Sequence, residues 1–265
     1  MEFPVEAVVS TRLARKGPLI AETYAAFQVW DLETNLQQNL ARLQKDNPFG
    51  ARTEKWLGEI LRTFSTRFRG LQLRPLVVLA KAGCPVEVWK SCLLWHLGRR
   101  DRLYYQFSVD WLYPAYLAGA YAVRTKDLVE YVQCLTRGEL NNAQDISEYG
   151  ATRLARDLLM TASLFGILEG NVAKTFTRRH LNQISFLYVV YAIVEAAGQG
   201  RALIDSTDWR LFLMGPSEVE RELHELHQFQ KVSIESAGSI VNLKLPARSL
   251  NEYAEIVAQE RNWNG

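Results

Sequence analysis

Trp56, Ile60, Phe64 and Phe68 stand four residues apart in the segment "ARTEKWLGEILRTFSTRF" (51–68). Repetition at that spacing builds one apolar face of an α-helix. Arg52, Lys55, Arg62 and Arg67 fill its other faces. The same grammar runs through the first half of the chain. "PLIAETYAAFQVW" (18–30) places Leu19, Tyr24, Phe27 and Val29 near one face, and "DLETNLQQNLARLQ" (31–44) follows it. Asn47-Pro48-Phe49-Gly50 then supplies a stop. Pro75 precedes "LVVLAKAG", and Pro85 opens "VEVWKSCLLWHLG" as a first-turn proline. The fold class this predicts is mainly α.

The second half begins at the polar, turn-prone "GELNNAQDISEYG" (138–150), where a domain boundary is placed. The division expected is a helical bundle domain over 1–142 and a winged-helix-like domain over 143–265, with a C-terminal hairpin and helix. An apolar helix covers 183–197 and ends at Gly198. "DWRLFLM" (208–214) reads as a short helix or strand, and Pro216 opens another helix. "KVSIES" and "SIVNLKLP" alternate around Ala237-Gly238 as a β-hairpin. Ser249 with Glu252 three residues on forms a capping-box pattern for the last helix.

The chain's 265 residues, 48% hydrophobic and 23% charged, suit a globular protein with a real core. The net charge of +2 is unevenly spread. Residues 51–104 hold eleven Lys/Arg against four Asp/Glu, 150–180 hold five against two, and 216–265 hold five against eight. Such a distribution can present a basic surface to a polyanion. Charges alternating around solvated helices and never converging give the same counts. Cys84, Cys92 and Cys134 have no metal-like spacing, and no signal-peptide h-region is present. Both fit a reducing, cytoplasmic setting. "ISFLYVVYAIV" (184–194) is too short to span a bilayer. "LYYQFSVDWLYPAYLAGAYAV" (103–123) carries Asp110 and Pro114 centrally and reads as a buried, aromatic-rich helical hairpin, so no membrane partner is expected.

No phosphate loop, nucleophile elbow, HExxH or dinucleotide fingerprint occurs, and neither enzymatic activity nor a cofactor or metal is expected. His224 and His227 share a helical face as "HELH", without further ligands in view. The stretch "TRLARDLLMTASLFGILEGNVAKTFTRRHLN" (152–182) is more specific. As a helix turning about 100° per residue, it gathers Leu154, Leu158, Ala162 and Phe165 into a sector of about 80°, with Arg153, Arg156 and Ser163 opposite. "FGILEG" is then an apolar strand, "NVA" a turn and "KTFTRRHL" a returning basic strand. Helix, strand, turn and basic strand outline a winged helix, with the helix in a major groove and the hairpin along the backbone. Lys174, Arg178 and Arg179 are candidate phosphate contacts, Thr175 and Thr177 hydroxyl donors, and Arg153 and Arg156 reach base edges or phosphates. Binding by counterion displacement is salt-sensitive and weakly sequence-specific. A helix with a hairpin also serves as a plain structural unit or a protein–protein module.

Two further stretches carry a likeness. "STRLARKGPLIAETYAAF" sets a basic loop before a helix holding Glu22, and "SIVNLKLPARSLNEYAEIVA" is a strand, a proline and a capped helix. With "ATRLARDLLMTASLFGILEG" between them, the arrangement resembles the BrxA family, small helical proteins of the BREX bacteriophage-defence systems. The likeness runs from about Ser10 to Ala258 and is one of pattern and order, without a catalytic signature. The chain is longer than the shorter members through 198–215. The resemblance implies a non-enzymatic, cytoplasmic component that binds double-stranded DNA and acts with other BREX defence proteins, which carry out methylation and ATP-driven steps. It also implies a helical bundle similar to NusB-type antitermination factors, joined to a winged-helix-like part with small β-hairpins. Arg12, Arg15 and Lys16 join the candidate contacts because the pattern puts them in a loop at a helix N-terminus. Two rivals stand beside this reading: a protein–protein adaptor of the defence complex, and an RNA-binding helical factor.

Overall fold

A computed structural model describes residues 7–139, 146–177, 181–237 and 240–263. In chain order the first helices are α1 (Thr11–Lys16), α2 (Ile20–Gln28), α3 (Leu36–Asp46), α4 (Glu54–Phe68), α5 (Arg74–Lys81) and α6 (Val86–Arg100). Helix α7 (Arg102–Gln106) runs through a π-helical segment, Phe107–Leu112, into α8 (Tyr113–Leu117). Helices α9 (Thr125–Glu139) and α10 (Glu148–Leu164) precede a hairpin of β1 (Leu168–Glu169) and β2 (Thr175–Phe176). After α11 (Gln183–Ala197) and α12 (Arg201–Ile204) come a 3-10 turn, Thr207–Phe212, and α13 (Pro216–Gln228). The hairpin of β3 (Ser233–Ala237) and β4 (Ile240–Lys244) and helix α14 (Leu250–Glu260) complete the order. The described residues are thus mainly helical, with two small antiparallel hairpins.

The chain forms two compact units that interleave along the sequence. Unit 1 takes residues 1–20, 50–71 and 96–180; unit 2 takes 21–49, 72–95 and 181–265. This partition differs from a division at 142/143. Helices α9 and α10, on either side of the polar connection, pack on each other within unit 1.

Local chemistry sets the helix ends. Asn35 caps α3 by accepting from the Gln38 amide, while the Gln38 side chain accepts from the Asn35 amide. The helix expected from 31 therefore starts at Leu36, because the Asn39 carboxamide ties Asp31–Asn35 into a turn. Ser249 caps α14 through the Glu252 amide, but the Glu252 carboxylate takes the amide of Arg248 rather than that of Ser249. The 103–123 segment is one continuous helical run to Leu117, not a hairpin. Its π-helical stretch closes with the Tyr113 amide on the Ser108 carbonyl just before Pro114, which has no amide to donate. The run buries Tyr104, Phe107 and Val109 and ends with Tyr116 and Leu117 exposed; Tyr121, past its end, is exposed too.

In unit 1, α10 buries Leu154, Leu158 and Ala162, with Phe165 just beyond its end, as the periodicity predicts. Ile60, Phe64 and Phe68 of α4 are buried too, whereas Trp56 lies at the surface. Hairpin β1–β2 pairs Leu168 with Phe176 and Glu169 with Thr175. Its turn needs Gly170, which has φ +93 and where a Cβ would stand 2.6 Å from the Ala173 carbonyl oxygen.

Unit 2 is built around α11, which is buried on all sides from Ile184 to Ile193, as a helix apolar all round must be. Its few polar atoms are partnered: Ser185 donates to the Val88 carbonyl, and the Tyr191 hydroxyl accepts from the Ala247 amide. Trp95 donates to the Asp208 carboxylate at 3.0 Å, and Trp209 of the 3-10 turn stacks on Phe186. Helix α5 packs on α14, and β3–β4 forms the expected hairpin.

Candidate nucleic-acid interface

Arg12, Arg15 and Lys16, expected in a loop, lie in helix α1. Ser10 caps this helix through the Leu13 amide, and Arg15 and Lys16 occupy its last turn, where the helix dipole favours cations. Leu13 and Ala14 are buried, while Arg12 and Lys16 beside them are half-buried. Arg12 reaches the Thr63 and Thr66 hydroxyls of α4 at 3.5 and 3.2 Å. Lys16 pairs with Glu59 at 3.0 Å and lies over the Trp56 ring at 5.5 Å. Arg15 is exposed.

Helix α10 packs on α1 and presents Arg153 and Arg156 to solvent. Asp157 stands next to Arg156 on the same helix. Its carboxyl is raised above the ordinary range by burial, and that rise is opposed by the positive charges of Arg156, Arg153 and Arg15. Arg156 stands 3.8 Å from it. A second carboxylate, Glu59, is held below its ordinary value chiefly by the Lys16 hydrogen bond, with Arg62 and Arg12 adding to the effect. Six cations, Arg12, Arg15, Lys16, Arg62, Arg153 and Arg156, thus gather around two carboxylates, and the six-residue helix α1 contributes to both groups. The sequence pattern gave no reason to single out Arg62, Glu59 or Asp157. The signal available was the (i,i+3) pair of Glu59 with Arg62, at 3.0 Å in the fold.

The expected wing contacts are placed differently. Lys174 is buried, with its ammonium donating to Ser163 Oγ at 2.9 Å and the Gly170 carbonyl at 3.1 Å. Burial lowers its pKa. It ties the hairpin to α10 instead of facing outward. Thr177 donates its hydroxyl to the Gly166 carbonyl at 2.6 Å. Thr175 is half-buried in β2, and Arg178 and Arg179 lie outside the described residues. Part of the basic excess of 51–104 is likewise internal. Arg67 and Arg100 donate to backbone carbonyls, and Lys90 pairs with Glu87 at 2.8 Å. Both helical histidines, His224 and His227, are exposed on α13, and His227 Nδ1 accepts from the Ile234 amide.

The BrxA family model matches residues 10–192, more than two thirds of the chain. The chain belongs to the BrxA family. The matched span holds the two basic helices, α1 and α10, together with hairpin β1–β2. BrxA membership makes the protein a component of a BREX phage-defence system and makes other BREX proteins its expected partners. Comparison with curated proteins and with solved structures returns no match. Among the described residues of this BrxA protein, no helix is long and apolar enough to cross a membrane.

Proposed function

We propose that this protein is the non-enzymatic, duplex-DNA-binding component of its BREX system, and that it contacts phosphates through α1 and α10. One observation carries the reading: helix α1, with Arg15 exposed, packs on α10, which presents Arg153 and Arg156 to solvent, so that cations 138 or more residues apart share one side of the unit. Cations drawn from distant parts of a chain onto one surface suit a polyanion far better than charges scattered around solvated helices. Helix α10 followed by β1–β2 supports the winged-helix-like arrangement, and the helical remainder is in keeping with a NusB-like bundle. The phosphate contacts come from α1 and α10, while Lys174 and Thr177 brace the hairpin.

The test is titration of labelled duplex at several salt concentrations, comparing wild type with Arg15→Ala/Arg153→Ala/Arg156→Ala. Each lost phosphate contact should lower the magnitude of the log–log salt slope by about 0.9, hence roughly 2.7 for three. A variant that keeps the wild-type slope removes this surface from consideration. The adaptor reading has its own observation in its favour. Tyr116, Leu117, Tyr121 and Val172 are exposed, and the Tyr116 ring lies 5.4 Å from that of Phe176 on the hairpin. Absence of duplex binding even at low salt, with loss of a BREX partner on Tyr121→Ala/Val172→Ser, would favour it.

A further inference from the structure

Helix α1 carries three of the six clustered cations, yet six residues are too few for a helix to persist alone. Its attachment therefore decides where those cations stand. Three of its contacts are at the surface or half-buried: Arg12 on Thr63 and Thr66, Lys16 on Glu59, and Lys16 over Trp56. Contacts of that kind are individually weak. The fourth is different in kind. Arg67 of α4 is 4% exposed, and its Nη2 donates to the Leu13 carbonyl at 3.1 Å and to the Gly17 carbonyl at 2.5 Å. The Gly17 amide turns back to the Ala14 carbonyl, so the Leu13 carbonyl lacks the ordinary partner four residues on and takes the guanidinium instead. A cation at this end also meets the negative end of the helix dipole. Asp101, buried in the same unit, supplies the compensating charge. The chain just before α1 is fixed at the same place, because the Val8 amide donates to the Arg100 carbonyl and Val8 accepts from the Arg102 amide.

We propose that Arg67 is a positioning residue: by gripping the last turn of α1 it holds Arg12, Arg15 and Lys16 beside Arg153 and Arg156, so that the two basic helices act as one phosphate-binding surface. The proposal rests on the duplex-binding reading for its functional consequence, and on the hydrogen bonds alone for its structural one. Arg67 itself touches no nucleic acid. Both bonds come from the one Nη2 at the tip of the side chain, so Lys, whose ammonium also carries several donors on a shorter reach, is the conservative replacement and Met the one that removes the grip.

The experiment uses the full chain with Arg67→Lys, Arg67→Met and the double variant Arg67→Met/Asp101→Asn, which removes the buried carboxylate that Arg67→Met leaves uncompensated. Limited trypsin cleavage after Arg15 and Lys16 reports the attachment of α1 without any nucleic acid. It should accelerate tenfold or more in the two variants that carry Arg67→Met, and less in Arg67→Lys, while the main thermal transition of the double variant stays in place. The salt slope of duplex binding should fall in the double variant to that of Arg12→Ala/Arg15→Ala/Lys16→Ala. Unchanged cleavage overturns the inference whatever the DNA result. Faster cleavage with a wild-type salt slope overturns the functional part, since α1 could then be loosened without cost to binding. If wild type itself binds no duplex, the proposed function fails, and the cleavage rates alone decide whether Arg67 holds α1.

Discussion

Replacing Lys174 separates two roles that a basic residue on a hairpin can have. Its ammonium makes two hydrogen bonds, to Ser163 Oγ at 2.9 Å and the Gly170 carbonyl at 3.1 Å, and its side chain is 7% exposed. Bonds to a charged donor contribute roughly 1.5–3 kcal/mol each before the cost of holding the ammonium out of water is set against them. Burial accordingly lowers the ammonium's pKa. The groups left behind are not stranded: the Ser163 hydroxyl still donates to the Leu159 carbonyl, and Gly170 is exposed to water. Lys174→Met keeps most of the apolar stem and should therefore cost only about 1 kcal/mol. Lys174→Ala also removes three methylenes at about 0.8 kcal/mol each, which brings it to roughly 3 kcal/mol. Urea unfolding, followed alongside amide exchange of β1 and β2, should rank the variants wild type, Met, Ala. Neither variant should alter the salt slope of duplex binding. If instead both variants lose about 0.9 in slope while stability is unchanged, Lys174 faces phosphate and the bracing argument is refuted.

Three further outcomes follow from the same geometry. Gly170→Ala forces a Cβ to within 2.6 Å of the Ala173 carbonyl oxygen at φ +93; it should cost about 2 kcal/mol and deprotect the β1–β2 amides in hydrogen exchange, while sparing the slope set by Arg15, Arg153 and Arg156. Asp157→Asn removes the carboxylate among those arginines and should tighten duplex binding roughly twofold at low salt, from about 0.5 kcal/mol of Coulomb repulsion relieved; weaker binding would mean that Asp157 organises the arginines more than it repels phosphate. His96 is depressed to about 3 by burial and then Arg99, so its contribution is lost as pH falls from about 6.5 to about 3. Asp101 is raised to about 6 by burial, against the pull of Arg67, so its contribution is lost as pH rises from about 3.8 to about 6. The two slopes, each at most about 1.4 kcal/mol per pH unit, oppose one another between about pH 4 and 6. His96→Phe should leave stability falling with pH in that window, and Asp101→Asn should leave it rising, as read by urea midpoints; parallel curves for the two variants would contradict the assignment.

The sequence made the helices legible where periodicity and caps agree, as in α10 with Ser147 at its start and Leu154, Leu158 and Ala162 inward. Both hairpins were legible from alternation and turn residues. Which way Lys174 points was not. Alternation names two faces of a two-residue strand without saying which is covered, and here α10 covers the lysine's. Charge counting misled for a related reason. Arg67 and Arg100 add to the basic total of 51–104 but spend their donors on backbone carbonyls. The convergence on Asp157 joins residues 15 and 156, and nothing local in the chain announces such a contact. The same holds for the two units, whose membership depends on long-range packing that the polar connection at 138–150 does not reveal.

Five passages between those units have a consequence for the order in which the protein takes shape at the ribosome. The first 95 residues supply pieces of both units and complete neither. Helix α5 emerges early, yet its partner α14 comes last among the described helices; Arg74 and Glu255, 181 residues apart, meet at 2.9 Å. Unit 1 has all its segments once residue 180 is made, while unit 2 must wait for the C-terminal helix. During that interval the apolar faces of α5 and α11 lack a cover, which is the condition under which nascent chains aggregate. A nascent chain halted after α11 should therefore display a finished unit 1 and a sticky unfinished unit 2, and chaperone capture should be concentrated on the latter.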